Sequence, residues 1–310
     1  MVPDPAAVSS RSCGAALAAV AVAFVLGMPG PSWGADAGSA ALAEETRALT
    51  LRYDAYVGGF YAFGFDVTLG LDPKAYGVAV EGGTRGLVGR LFAWRTHLTA
   101  EGGLASSSPL PSGLAPVRFD TVTEWRGKPR RTTLRFMGRG RYAVEREPAE
   151  PSAARSDGDE DELPDSLPAG AMDPVAASVA ALTASARDGA CERRVPVFDG
   201  KRRYDLVVHD GGGPTSLMPS HVSAYAGPAL SCRIAIERIS GFSKRRRNAQ
   251  QWGDDSSTPP TIWVARLTPD MPLVPVRFMA SIDFGTLVLH LVRAEARENG
   301  ATRTIAELKR

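Results

Sequence analysis

The chain has 310 residues and carries 36 Lys and Arg against 34 Asp and Glu, a formal net charge of +2. So mild a balance does not imply a nucleic-acid partner. The length allows one large core or two smaller ones, and all-β domains of this size often stay undivided.

Arg11 precedes the apolar run Gly14 to Leu26, and a Pro/Gly-rich break leads to the small residues Gly34-Ala-Asp-Ala37. This pattern reads as a secretory signal over residues 1–37, cleaved on export to the periplasm, with 38–48 a flexible lead-in. The alternative, an uncleaved anchor, meets the difficulty that roughly 13 apolar residues are few against the roughly 20 that span a bilayer. No later segment is long and apolar enough for a transmembrane span. Removing Asp4, Arg11 and Asp36 takes the net charge to about +3. Cys13 leaves with the signal, so Cys191 and Cys232 remain as an even pair in an oxidising compartment. They are expected to form a disulfide closing a loop of about 40 residues, with two buried free thiols as the alternative.

The chain then alternates apolar and polar residues. Leu51, Tyr53, Ala55 and Val57 share one face, Gly58-Gly59 interrupts, and Tyr61, Phe63, Phe65, Val67 and Leu69 resume it, which predicts a hairpin. Tyr76, Val78 and Val80 predict a third strand, and Phe92, Trp94 and Leu98 a fourth. Val117, Phe119, Thr121, Thr123 and Trp125 alternate with charged residues, and a Gly127-Lys-Pro129 turn leads to Thr132, Leu134 and Phe136. One dry and one wet face indicate an antiparallel sheet.

Residues 148–171 break the pattern with Asp157, Asp159, Glu160, Asp161, Glu162 and Asp165 among Pro, Ser and Ala, and read as a mobile acidic insert. The spacing lacks that of a calcium-binding loop. Asp173-Pro174 starts the one convincing helix, 173–188, with Asp173 as cap, Pro174 in the first turn, Val175, Val179, Leu182 and Ala186 on one face, and Gly189 as its stop.

Strand patterns return from Arg194 to Glu295, among them Cys232, Ile234 and Ile236, then Val274 to Ile282, a turn near Asp283-Phe-Gly285, and Leu287, Leu289 and Leu291. Val195 and Val197 lead up to Asp199-Gly200, read as a tight hairpin turn, and Tyr204 and Leu206 lead down. The expected organisation is a single antiparallel β domain over 49–296 with a tail at 297–310. Its fold class is mainly β: a curved, half-open barrel or a two-sheet sandwich, with one amphipathic helix packed across it.

Seven phrases together resemble one family: Tyr53-Asp-Ala-Tyr-Val-Gly-Gly59, Gly113-Leu-Ala-Pro-Val-Arg-Phe119, Asp173-Pro-Val-Ala-Ala-Ser178, Val197-Phe-Asp-Gly-Lys-Arg-Arg-Tyr-Asp-Leu206, Tyr225-Ala-Gly-Pro-Ala-Leu-Ser-Cys-Arg-Ile234, Trp263-Val-Ala-Arg-Leu267 and Pro275-Val-Arg277. In order and spacing, over roughly residues 50 to 295, the chain resembles the DUF3108 family of exported bacterial proteins of unknown function. The resemblance implies an envelope-located, mostly antiparallel β domain with one helix and transfers no catalytic residue. The acidic insert and Lys244-Arg-Arg-Arg247 depart from a compact member of such a family.

Chemistry is sparse. His97, His209, His221 and His290 make no short zinc-type spacing, and His290, alternating with core leucines, is expected to face solvent. His209-Asp-Gly-Gly-Gly213 resembles an esterase oxyanion loop, but no Gly-x-Ser-x-Gly elbow accompanies it, and a flexible glycine turn explains it better. Neither a P-loop nor a dinucleotide fingerprint occurs. The expectation is therefore a non-enzyme without cofactor or metal. Lys201, Arg202 and Arg203 are candidate anion contacts. Tyr61, Phe63, Phe65, Phe92 and Trp94 either fill an ordinary core or line an apolar cavity.

Three functions fit: a binding or assembly factor for an apolar or lipid-like ligand or an envelope protein, a hydrolase of an envelope polymer using carboxylates among Asp54, Asp66, Asp120 and Glu124, and a purely structural interaction protein.

Overall fold

The computed structural model describes residues 47–104, 113–148, 165–242, 259–269, 271–282 and 285–308. The expected signal at 1–37, residues 149–164 of the expected acidic insert, the Lys244 to Arg247 run and Asp283-Phe284 of the expected turn lie outside the described residues.

Fourteen strands are described, all in one antiparallel sheet. The first meander comprises β1 (Arg47–Val57), β2 (Phe60–Leu71), β3 (Ala75–Thr84), β4 (Trp94–Leu104), β5 (Leu114–Trp125), β6 (Lys128–Gly138) and β7 (Arg141–Glu147). The second comprises β8 (Arg193–Phe198), β9 (Arg203–Leu217), β10 (Gly227–Ser240), β11 (Thr261–Ala265), β12 (Val274–Ile282), β13 (Gly285–Glu298) and β14 (Ala301–Glu307). Between β3 and β4 runs a short helix, α1 (Gly86–Leu91), and between β7 and β8 the longer α2 (Pro174–Asp188). β1 pairs with β13, from Arg47 opposite Glu298 to Val57 opposite Leu287, and so joins the two meanders. The path then ends at β7 on one side and β8 on the other, while β14 pairs with β13.

Alternation sets the two faces. Leu49, Leu51, Tyr53 and Ala55 point to the core, whereas Arg52 and Asp66 face each other outside as an ion pair at 2.7 Å. Two-residue turns with both residues at positive φ join several hairpins: Gly58-Gly59, Arg126-Gly127, Arg139-Gly140 and Asn299-Gly300. Such turns match the twist of paired strands, and their second residue is glycine each time. The Arg126-Gly127 pair replaces the expected Gly127-Lys-Pro129 turn, and Pro129 lies inside β6.

The sheet curls until its ends meet. The Leu167 amide donates to the Gly140 carbonyl of the β6–β7 turn at 2.8 Å, and Met172 exchanges hydrogen bonds with Pro196 and Phe198 of β8 at 3.0 and 2.9 Å. The rings of Tyr142 and Phe198 stand 4.8 Å apart, Arg146 donates to the Gly200 carbonyl, and a Cβ on Gly200 would lie 3.0 Å from Thr132 Cγ2. Residues 165–172 thus act as a strap across the seam. The architecture is the half-open barrel of the two expected forms, and the helix lies inside the curl, touching β8 on one side and β4 and β5 on the other.

Two boundaries move. Residues 297–310, expected as a tail, contribute the end of β13 and the strand β14, because Asn299-Gly300 returns the chain against β13. β1 begins at Arg47, within the expected flexible lead-in. Phe92 caps the unexpected α1 instead of opening the fourth strand. Asp199-Gly200 heads a four-residue loop, with Asp199 Oδ1 accepting from the amides of Lys201 and Arg202 at 2.8 and 2.6 Å. The strands it joins pair as expected, Val197 with Tyr204 and Val195 with Leu206.

The buried sulfurs of Cys191 and Cys232 are 2.02 Å apart, tying the entrance to β8 onto β10 across β9. A bond enclosing a separation of 41 residues restricts the unfolded chain. Replacing both cysteines by alanine is expected to lower the unfolding free energy by about 3 to 4 kcal/mol, read from urea denaturation of the oxidised protein and the double variant.

Candidate functional site: an apolar cavity beside the enclosed helix

α2 begins as its sequence dictates. Asp173 Oδ1 accepts from the amides of Val175 and Ala176 at 2.9 Å each, Pro174 fills the first turn, and Gly189 closes the helix at φ 65°. Inside a curled sheet both sides of a helix find partners. Ala176, Ala177, Ala180 and Ala184 are buried on one side, where small side chains allow close approach. The larger Val175, Val179 and Leu182 face a cavity of about 120 Å³.

The cavity's opposite walls come from both meanders, with Leu51, Phe65 and Val80 from the first and Val208, Ile234 and Leu289 from the second. Two of its hydroxyls are bonded to backbone carbonyls. Tyr53 donates its hydroxyl to the Pro275 carbonyl at 2.9 Å, and Ser178 Oγ donates to the Pro174 carbonyl within the helix at 2.8 Å. Cys232 is in the disulfide. The lining contains no Asp, Glu, Lys, Arg or His.

Of the five aromatic residues proposed as lining, only Phe65 lines the cavity. Trp94 is buried behind it, edge-on to Phe65 and Phe63 at 6.3 and 5.9 Å between centroids. Tyr61 and Phe92 are exposed on the rim. Aromatics therefore close one end of the cavity, and aliphatic side chains supply its walls, an arrangement that alternation cannot distinguish because it gives the face and not the depth.

The cation cluster also divides. Arg203 is buried, bonded to Asp205 at 2.6 Å and to the Tyr204 carbonyl, and so is withdrawn from any external anion. Arg202 lies over the Phe242 ring at 5.8 Å and 4.0 Å from Asp199, and Lys201 sits half-buried in the same loop. The Asp205 carboxylate at i+2 holds Arg203 against the sheet; the sequence alone treats three adjacent cations alike.

The remaining polar residues do not assemble at the cavity. Asp66 pairs with Arg52, Asp120 with Arg118 and the Thr133 hydroxyl, and Glu124 lies opposite Arg95, all on the face away from the core. Asp54 is buried opposite Gly64 and His290 on that same outer face. His290, expected to face solvent, is only 9% exposed, with Tyr56 edge-on to it and Arg277 on the neighbouring strand. Burial, reinforced by Arg277, pushes its pKa down to about 4, so it is neutral at neutral pH.

The glycines after His209 form a bulge in β9 where Gly211 and Gly212 are skipped in the register with β10, the Ser231 hydroxyl donates to the Gly211 carbonyl at 3.1 Å, and Asp210 Oδ1 takes the amides of Gly212 and Gly213. Those amides are therefore occupied rather than presented as an oxyanion hole. Among the described residues no group of three His, Cys, Asp or Glu is placed to hold a metal, and no helix is long and apolar enough to cross a membrane.

A family model described as "Protein of unknown function (DUF3108)" matches residues 52–292. No curated protein matches the chain. Among solved structures it is similar to the crystal structure of a β-barrel-like protein of domain of unknown function DUF1849 from Brucella abortus, with 10% identity, a TM-score of 0.43, 82% of this chain covered and 100% of that one.

The helix cap makes this site pH-dependent. Asp173 is fully buried, its Oδ2 has no hydrogen-bond partner in the protein, and burial pushes its pKa up to about 7 against the opposing pull of the capping amides. The folded state then holds a proton that the unfolded chain releases near 3.8. Its stabilising contribution is complete below about pH 4 and is lost as pH rises through about 7, on the order of 4 kcal/mol at most. His290 acts in the opposite sense, its contribution being lost as pH falls below about 6.5. Asp173→Asn keeps the cap and isolates the first effect. The variant is expected to be more stable than the parent at pH 8 and to approach it at pH 5, as measured by urea unfolding at both values.

Proposed function

The chain belongs to the DUF3108 family of unknown function, and on that footing we propose that it is an exported, non-catalytic binding protein whose apolar cavity receives a hydrocarbon-like group. The carrying observation is the lining: largely aliphatic side chains from α2 and both meanders, with the Tyr53 and Ser178 hydroxyls bonded to backbone carbonyls. Apolar cavities are those that stay dry and accept hydrocarbons, as an engineered cavity of roughly 150 Å³ accepts benzene. At about 120 Å³ the cavity is smaller than the roughly 300 to 1,000 Å³ of pockets that enclose drug-sized ligands. It therefore suits the end of an acyl chain or a short hydrocarbon, with the rest of the molecule outside.

The signal-like residues 1–37 support export to the periplasm. The carboxylates on which hydrolysis would depend lie on the opposite face of the sheet, so binding is favoured over hydrolysis.

Decanoate serves as the probe. Titration is expected to move the methyl NMR signals of Val179 and Leu182, while Val179→Phe, which fills the cavity, is expected to abolish the change and raise thermal stability. Native mass spectrometry of protein purified from the periplasm without detergent is expected to show an apolar adduct removable by organic extraction. Unmoved methyl signals together with an adduct-free spectrum would overturn the proposal.

A further inference from the structure

Nine large apolar side chains stand exposed among the described residues, and five of them, Phe60, Tyr61, Leu87, Leu91 and Phe92, gather on one rim of the barrel. Phe60 follows the Gly58-Gly59 turn and is 74% exposed. Leu87 and Leu91, four apart on α1 and therefore on one side of it, are each 71% exposed, and no residue of that helix is buried. Backbone bonds hold these pieces together. The Arg85 amide donates to the Ala62 carbonyl at 2.8 Å, and a Cβ on Gly86 would lie 3.5 Å from the Tyr61 carbonyl. Phe92 packs beside Trp125 at 6.4 Å, and the Arg126 amide donates to the Ala93 carbonyl at 3.2 Å, bringing the β5–β6 turn to the same rim.

The charge around this patch is predominantly positive. Thr84-Arg-Gly-Leu-Val-Gly-Arg-Leu-Phe-Ala-Trp-Arg95 contains three arginines and no acid, and Arg126-Gly-Lys-Pro-Arg-Arg131 contains four cations and no acid. Arg85, Arg90, Arg95, Arg126, Lys128, Arg130 and Arg131 are all exposed. Glu124 and Glu147 are the carboxylates nearest in register, opposite Arg95 and Arg131.

Exposed Leu and Phe beside arginines are the composition that settles at a bilayer surface: apolar side chains enter the acyl boundary and cations meet anionic headgroups. A protein partner of ordinary composition would offer no reason for so positive a surround, whereas an anionic membrane does. We infer that this rim docks the protein onto an anionic lipid surface, with Phe60, Leu87 and Leu91 inserting and Arg90 and Lys128 among the headgroup contacts. The surface is distinct from the cavity, since the Phe63, Phe65 and Trp94 layer lies between them. The inference therefore stands or falls separately from hydrocarbon binding.

Co-sedimentation of the purified chain with vesicles tests it. Binding is expected with vesicles of equal phosphatidylcholine and phosphatidylglycerol, weakening as salt rises, and much less with phosphatidylcholine alone. Phe60→Ser/Leu87→Ser/Leu91→Ser and, separately, Arg90→Glu/Lys128→Glu are each expected to reduce partitioning by about tenfold or more. These side chains are exposed, and circular dichroism is expected to show both variants folded like the parent. Three results would overturn the inference: no binding to the anionic vesicles, binding unchanged by both variants, or dimerisation of the parent in solution that the triple variant abolishes. Val179→Phe is expected to leave vesicle binding unchanged, which separates this test from that of the cavity.

Discussion

A sheet of fourteen strands has two ends, and the backbone groups along those ends need partners. This protein meets the requirement by curling until β7 and β8 approach and by laying residues 165–172 between them, where Leu167 serves one side and Met172 the other. The strap fixes more than the seam. One residue beyond Met172, the chain turns inward at Asp173, so the bond that closes the barrel also aims the helix into it. Asp173 must then enter the interior as well, since its carboxylate is the cap of a helix whose first turn is enclosed. A carboxyl held near neutral pKa follows from that topology and not from any local charge.

The helix explains the cavity by the sizes of its side chains. Its alanines sit close against one wall, while Val175, Val179 and Leu182 leave space before the other. A cavity of this volume costs about 3 kcal/mol relative to a filled core at roughly 24 cal/mol per Å³. An apolar guest offsets part of that cost without needing a single hydrogen bond. Binding and stability are thereby linked through the same void.

Much of this architecture was legible. Alternation in β1, β5 and β12 located strands and their core faces, and Asp173-Pro174 with Gly189 bracketed the helix, because caps and period-two patterns are local properties of the chain. Asn299-Gly300 was equally local, a strong hairpin signal, yet the surrounding residues are polar enough to read as a tail. The short α1 has no buried face to mark its period, so alternation alone places Phe92 in the strand after it. His290 sits on the outer face as alternation requires, but burial there arises from Tyr56 and Arg277 on neighbouring strands, which no window along the chain contains. Among the aromatic residues proposed as lining, only Phe65 reaches the cavity while Trp94 fills the core behind it, for the same reason: curvature decides which core-facing residue meets empty space. Arg203 differs from Arg202 in starting β9 and pairing with Asp205.

The pairing of β1 with β13 has a kinetic meaning. Most other neighbours in the ladder are close in sequence, so each meander assembles from contacts whose loop-closure entropy is small. The joint between Arg47 and Glu298 closes nearly the whole described chain in one step. Until β13 has emerged, β1 exposes one unsatisfied edge and the two meanders have no common interior. A chain whose two meanders are joined in this way commits to a shared interior only when the final strands are present.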